Sequence, residues 1–127
     1  MPERTPIIPP GIAPNPNLSP GIRVGDMLYV SGHVGTDANG NIAEGCEAQS
    51  RQVMANIRGV IEAAGGRMED VCKITCFLTN MDDYADYAKV RLETWPNNPP
   101  ASSTVGVSCL VRPELVVEVE AIVKLPS

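Results

Sequence analysis

Apolar residues recur at two different spacings along the chain, and these spacings predict two helices among short strands. Val53, Ile57 and Ile61 belong to a stripe that repeats every three or four positions, which predicts a first helix over residues 46–64. Gly65 follows, and glycine readily adopts the left-handed conformation that ends helices. A second helix follows the capping and acidic residues 80–83 and ends before Pro96. Its predicted core-facing residues are Tyr84, Tyr87, Ala88, Leu92 and Trp95.

Alternation of apolar and polar residues predicts five strands around these helices. Residues 22–24 and 27–31 flank Gly25-Asp26 and are predicted to form a hairpin. Residues 71–79 form a third strand, and residues 103–110 and 115–124 form two more around a turn at Pro113. The order ββαβαββ predicts an α+β fold with one mixed sheet and two helices on one face. In the third strand, the side chains predicted to face the helices are those of Cys72, Ile74, Cys76 and Leu78.

The sheet face that the helices leave open is predicted to carry both apolar and small side chains. Phe77 and Thr75 point there from the third strand. Thr104, Gly106 and Ser108 join them if Val105 and Val107 pack under the helices. Such a face differs from the Lys/Glu alternation of a solvated sheet. We therefore expect other copies of the chain to cover it.

The first twenty residues differ from the rest because they hold seven of the twelve prolines. Fixed φ angles and missing N–H donors exclude a helix or a central strand there. Residues 1–20 are therefore interpreted as an extended arm, either loose or wrapped over the body. Residues 21–127 show no shift in composition and are interpreted as a single domain.

Composition and charge narrow the classes of partner. Ten basic against fifteen acidic residues give a net charge of −5, and five aromatic rings are too few for a stacking platform, so nucleic-acid binding is disfavoured. No membrane span or secretion signal is apparent, and we expect a soluble cytoplasmic protein. The sequence predicts no metal site, because the cysteine spacing matches no zinc site. The four cysteines are expected to be free and mostly buried, at positions Cys46, Cys72, Cys76 and Cys109.

Glu118 and Glu120 are the carboxylates best placed for chemistry. They lie at i and i+2 on a strand, so both point toward the face expected to be covered, roughly 7 Å apart. Partial desolvation favours the protonated form and suits a general acid/base that positions water. The alternative is that both are solvated or ion-paired structural residues.

His33 is the only histidine, and Gly32 precedes it. Without a Cβ, Gly32 allows a ligand or partner backbone to approach closely. A lone histidine does not make a metal site, and a structural or exposed role is the alternative to catalysis. The chain lacks the nucleotide-binding, α/β-hydrolase and zinc-protease motifs.

Five segments of the chain carry a resemblance to a known family. The segments are VGDMLYVSGHVG at 24–35, QSRQVMANI at 49–57, AAGGRMEDVCKITCFLTNMDDY at 63–84, PPAS at 99–102 and VEVEAIV at 117–123. Together they resemble the Rid (reactive intermediate deaminase, or YjgF) family. The resemblance implies a chorismate-mutase-like fold assembled as a homotrimer, with ligand sites in the clefts between subunits. It also implies cofactor-free hydrolysis of enamines or imines to a 2-oxo acid and ammonia, in which an arginine clamps the carboxylate and a glutamate positions water.

The family's site residues are only partly present. The resemblance implies that Glu118 positions water, that Gly32 is the cleft glycine and that Ser19 matches a site serine. The clamping arginine is replaced by Ser102, which is followed by Ser103. The other departures are Leu18 for a tyrosine, Ala88 for an asparagine and His33 for a glutamine.

A serine hydroxyl does not replace the charge of a guanidinium clamp. The chain therefore resembles an arginine-lacking subgroup and is not expected to be an efficient 2-iminobutyrate-type deaminase. Arg91 or Arg112 could restore a cation at the cleft.

Three functions follow. The first is a hydrolase for another small enamine or imine, with Glu118 as acid/base, His33 as a possible proton donor, and Ser102 and Ser103 binding a neutral polar group. The second is a non-catalytic trimer that binds or senses a small molecule. The third, an endoribonuclease, fits poorly with an acidic chain.

Overall fold

The computed structural model describes residues 3–127, which form one six-stranded sheet with two α-helices on one of its faces. The strand order is β1-β2-β3-β6-β4-β5, with β4 and β5 parallel and every other neighbouring pair antiparallel. The α+β fold with one mixed sheet is thereby confirmed. The elements are β1 (Arg4–Ile7), β2 (Gly21–Val24), β3 (Met27–Val34), α1 (Cys46–Ala63), β4 (Val71–Leu78), α2 (Tyr84–Thr94), β5 (Ala101–Gly106) and β6 (Val117–Lys124).

The proline-rich segment contributes an edge strand to the sheet. In β1, Pro6 lies opposite Ile22 of β2, and the strand has no neighbour on its other side. An edge is where a strand tolerates a missing N–H group. The N-terminal arm therefore begins as part of the sheet and continues over residues 8–20 to the start of β2.

The core lies between the sheet and α1. Two glycines let the helix approach closely: a Cβ on Gly35 would come within 2.6 Å of the Gln49 side chain, and one on Gly21 within 2.6 Å of Val60. Buried aliphatic residues fill the layer between them. Those with no exposed surface include Leu28, Val53, Ile57, Val60, Ile61, Ile74, Val117, Val119 and Val123.

The second helix covers the sheet with a narrower stripe than the sequence pattern predicts. Tyr87 and Val90 are its buried residues, and Trp95 beyond its end is buried with Nε1 donating to the Met68 carbonyl at 2.9 Å. Leu92 is 67% exposed, so its predicted place in the core was wrong. It lies two positions beyond Val90, which is about 200° around a helix.

The cysteines divide evenly between core and surface. Cys46 and Cys76 are buried as predicted, but Cys72 and Cys109 are exposed. The alternation predicted for β4 fails at Cys72 because the register against β6 shifts between Val71 and Lys73. An irregularity of this kind turns the extra residue away from its expected face.

In β5, the side chains that point to the open face are the alternate set to the one expected from the sequence, which included Thr104. Ser103 lies opposite Thr75 and Val105 opposite Phe77, so Ser103 and Val105 share the open face with these residues. Thr104 lies opposite the buried Cys76, on the side of the helices. Val105, predicted to pack there, is instead 41% exposed. The strand spans Ala101–Gly106, starting and ending earlier than predicted.

Candidate functional site

The carboxylate of Glu118 lies on the open face of the sheet, against the backbone of Gly32. In the register of the sheet, Glu118 has Val34 of β3 on one side and Phe77 of β4 on the other. A bulge between Val30 and His33 in β3 brings Gly32 under the carboxylate. A Cβ at Gly32 would overlap a carboxylate oxygen of Glu118, so only glycine leaves room for it in this position.

The surroundings of Glu118 favour a protonated carboxyl. Burial raises the pKa of Glu118, and the charge of Glu120 two residues away raises it further. Among residues 3–127, no hydrogen bond or ion pair reaches this carboxylate. A half-buried, unpaired carboxyl with a raised pKa is suited to accept and return a proton.

The end of the N-terminal arm is fastened to the same bulge. Ser31 Oγ donates to the carbonyl of Ser19 at 2.5 Å, and the backbone N–H of Ser31 donates to the carbonyl of Pro20 at 3.0 Å. Ser19 thus meets the Glu118 side of the sheet through its main chain. Leu18, one residue earlier, is 57% exposed.

His33 lies on the opposite side of the sheet from Glu118. Its strand partner Val119 is buried under the helices, and its ring is in a cavity lined by Ala55 and Asn56 of α1. The bulge shifts the alternation of β3, so adjacent residues Gly32 and His33 present opposite faces. The structure does not bring His33 to Glu118, and the pairing of the two as base and proton donor is not retained.

The two serines of the altered motif also point to opposite faces. Ser102 lies opposite the buried Ile74, on the helix side of the edge strand, whereas Ser103 lies on the open face. Ser103 Oγ accepts a hydrogen bond from Lys73 Nζ at 2.8 Å. This cation was missed by sequence reasoning because the contact depends on the parallel register of β4 and β5.

Arg91 is held over two tyrosine rings of its own helix. Its Nη2 donates to the Tyr84 hydroxyl at 2.8 Å, and its guanidinium carbon lies 5.5 Å and 5.4 Å from the ring centres of Tyr84 and Tyr87. Its charge also acts on the Cys76 thiol, whose strand partner is Thr104. Arg91 therefore lies on the helix side of the sheet, the side that Ser102 faces.

Arg112, the other candidate cation, lies in the exposed loop between β5 and β6. Its guanidinium is 3.6 Å from the carboxylate of Glu114, and both side chains are more than half exposed. Its partner in the structure is therefore a loop carboxylate.

A single protomer keeps Glu118 and Ser102 apart. Two strand spacings and about three residues along the strand separate their positions, which amounts to roughly 14 Å, and their side chains face opposite sides. One protomer places Glu118 against Gly32 and bonds the Ser19 main chain to Ser31 in the same bulge. Ser102 and Arg91 both lie on the other side of the sheet.

Residues 3–127 hold neither a candidate metal site nor a candidate membrane-spanning helix. They contain no group of three or more His, Cys, Asp or Glu side chains arranged to hold a metal ion. Neither of their α-helices has the length and apolar content needed to cross a bilayer.

Comparison with known proteins places this fold in a family. The family model described as endoribonuclease L-PSP matches residues 11–125. The chain belongs to the Rid (YjgF) family. A RutC family protein of Saccharolobus solfataricus is 38% identical over 108 residues, covering 82% of this chain and 86% of the relative.

Two other Rid relatives cover nearly the whole chain. A 2-iminobutanoate/2-iminopropanoate deaminase of Dermatophagoides farinae is 34% identical over 121 residues, 94% of this chain and 91% of the relative. The crystal structure of RidA from a Psychrobacter species has a TM-score of 0.90 and 34% identity, covering 96% of this chain and all of that one. The chorismate-mutase-like Rid fold expected from the resemblance is confirmed.

Proposed function

We propose that this Rid protein is a homotrimeric, cofactor-free hydrolase that converts a small enamine or imine to a carbonyl compound and ammonia. The observation that carries the proposal is the unpaired Glu118 carboxyl seated on Gly32. Membership of a family with a deaminase relative at 34% identity supports the reaction class.

The proposed chemistry needs one carboxyl and one water molecule. Glu118 in its ionised form accepts a proton from water as the oxygen adds to the carbon of the C=N bond. The same carboxyl returns a proton to the nitrogen, and the resulting carbinolamine collapses to C=O with loss of ammonia. Its raised pKa makes the protonated form easier to reach than in an exposed glutamate, which helps the carboxyl return the proton.

The site is proposed to form between subunits because one protomer does not complete it. Glu118 and Ser102 face opposite sides of the sheet, roughly 14 Å apart. The open face around Glu118 carries exposed apolar side chains, with Tyr29 47%, Val105 41% and Ile122 37% exposed. Covering this face with a second and third copy buries these side chains and brings the edge strand of a neighbour toward Glu118.

The proposed substrate anchor lies on β5. Ser102 and the main chain of β5 bind a polar group of the substrate, and Arg91 lies on the same side of the sheet as Ser102. Ser19, Gly32 and Ser103 line the Glu118 end, since Ser103 faces the same side of the sheet as Glu118. Each charge-assisted bond of a lost clamp contributes about 1.5 to 3 kcal/mol, so affinity for a 2-imino acid falls about ten- to a hundredfold per bond. The protein is therefore proposed to belong to the arginine-lacking Rid proteins and to prefer imines without a carboxylate.

The experiment compares imines formed by an amine oxidase with 2-imino acids formed by an amino-acid oxidase. Loss of each imine is followed by semicarbazide trapping, with wild type, Glu118→Gln and Arg91→Ala. We expect faster turnover of the uncharged imines and a loss of at least about a hundredfold in Glu118→Gln.

Four results would change this assignment. Turnover unchanged in Glu118→Gln would remove the mechanism. Preferred turnover of 2-imino acids that is lost in Arg91→Ala would make Arg91 the clamp. Saturable binding of the imines by calorimetry without product would instead assign a binding or sensing trimer. Sedimentation as a monomer at micromolar concentration would contradict the shared site.

A further inference from the structure

A cavity of about 270 Å³ lies on the helix side of β3, beneath the proline-rich segment. Pro9, Pro10 and Ile12 form one wall, and Ala55 and Gly59 of α1 form the other. The cavity and Glu118 lie on opposite sides of the sheet. Copies that cover the open face approach from the far side, so the cavity stays outside the proposed intersubunit cleft.

His33 lines the cavity and has one ring nitrogen that is free to accept a hydrogen bond. Its Nε2 lies 3.2 Å from the carbonyl of Pro20, which only accepts, so Nε2 carries the proton and Nδ1 holds a lone pair. Among residues 3–127, no side chain or main-chain group pairs with Nδ1. Burial lowers the pKa of His33, so the ring remains neutral near pH 7.

Two other polar side chains of the lining, those of Asn56 and Asp37, are bonded within the protein, and the Thr36 hydroxyl is left as a second polar group. Asn56 Nδ2 donates to the carbonyls of Val34 and Thr36, both at 3.0 Å, and its Oδ1 accepts from Gln52. Asp37, the one acidic residue of the lining, accepts two backbone N–H bonds from its own turn at 2.9 Å. Among residues 3–127, no lysine or arginine lines the cavity, so no basic side chain of this part of the chain balances the charge of an anion there.

We propose that this cavity is a second binding site, for a small neutral cyclic molecule that carries a single N–H or O–H donor. The donor bonds to Nδ1 of His33, and the ring packs against Pro9, Pro10 and Pro20. A volume near the lower end of ligand pockets admits one or two fused rings. This site is independent of the chemistry proposed for Glu118.

Indole and 1-methylindole are matched probes, because they share a ring system and differ in the donor. Binding is measured by calorimetry and by the ¹⁵N resonances of the imidazole, of which the chain has one. We expect indole to bind saturably, to shift Nδ1 more than Nε2, and to bind about three- to tenfold more tightly than 1-methylindole. Benzoate is expected to bind more weakly than either.

Three variants locate the binding. Ala55→Leu fills the cavity from α1 and is expected to abolish it, whereas Ala85→Leu on the exposed side of α2 is the control and leaves it intact. Glu118→Gln is also expected to leave it intact. Equal affinity for the two indoles, no saturable binding at millimolar concentration, binding that survives Ala55→Leu, or binding lost in Glu118→Gln would each overturn the proposal.

Discussion

Replacing Gly32 with alanine tests whether the position of the Glu118 carboxylate against the Gly32 backbone matters for turnover. The added Cβ overlaps the carboxylate group, which must move by on the order of 1 Å to reach van der Waals separation. The atoms displaced are the end of a flexible side chain, and Gly32 does not have a positive φ angle. The fold therefore accommodates the change while the proposed acid/base is displaced.

A displacement of this size costs about a hundredfold in rate when geometry controls the chemistry. We expect kcat for the preferred imine to fall by that order in Gly32→Ala, with the melting temperature and the oligomeric state unchanged. Gly59→Ala is the matched control, because its Cβ would have 3.8 Å to the nearest side chain, that of Pro9. Full activity in Gly32→Ala would refute the role assigned to the close approach of Glu118 to Gly32. A large fall in the melting temperature would refute the claim that only the carboxylate moves.

Three other substitutions test separate parts of the account. Gln49→Leu removes three buried hydrogen bonds, to the main chains of Ala43, Glu114 and Val116, at 2.8 to 3.0 Å. The unfolding free energy measured in urea titrations should fall by about 3 to 5 kcal/mol, and a fall below about 1 kcal/mol would contradict this. Glu120→Gln removes a charge that raises the pKa of Glu118, so the acidic limb of the pH–rate profile should move to lower pH, and an unmoved or raised limb would speak against the coupling. Ser102→Arg should raise kcat/KM for 2-imino acids about ten- to a hundredfold. For the uncharged imines, which lose the Ser102 hydroxyl, kcat/KM should fall, and an equal rise for both substrate classes would contradict the proposed anchor.

The elements with regular patterns could be predicted from the sequence. The helix Cys46–Ala63 and the hairpin at Gly25 follow from local spacing and turn chemistry, and both are present. The orientation of Glu118 also follows, because it alternates with the buried residues Val117 and Val119 in a regular strand. Local periodicity is sufficient where a strand has no irregularity.

The sequence did not reveal where the pairing between neighbouring strands is irregular. The bulge before His33 reverses the face of that residue, and the shift at Cys72 turns it outward. The short edge strand of Ser103 and Val105 consists mostly of small residues, so its parity has no periodic signal. Contacts between strands, such as Lys73 with Ser103, depend on the parallel register, which no local pattern encodes.

Subunit complementation tests most directly whether the catalytic site is shared between copies of the chain. Glu118→Gln removes the proposed acid/base. Ser102→Trp places a bulky side chain on the exposed strand β5, where the substrate is proposed to bind. Each variant alone should therefore be inactive. Equal amounts unfolded together and refolded should recover about a quarter of wild-type activity, because half of the subunits offer an intact Glu118 and half an intact Ser102. A mixture that stays as inactive as its parents, with mixed trimers detected by native mass spectrometry, would contradict the account.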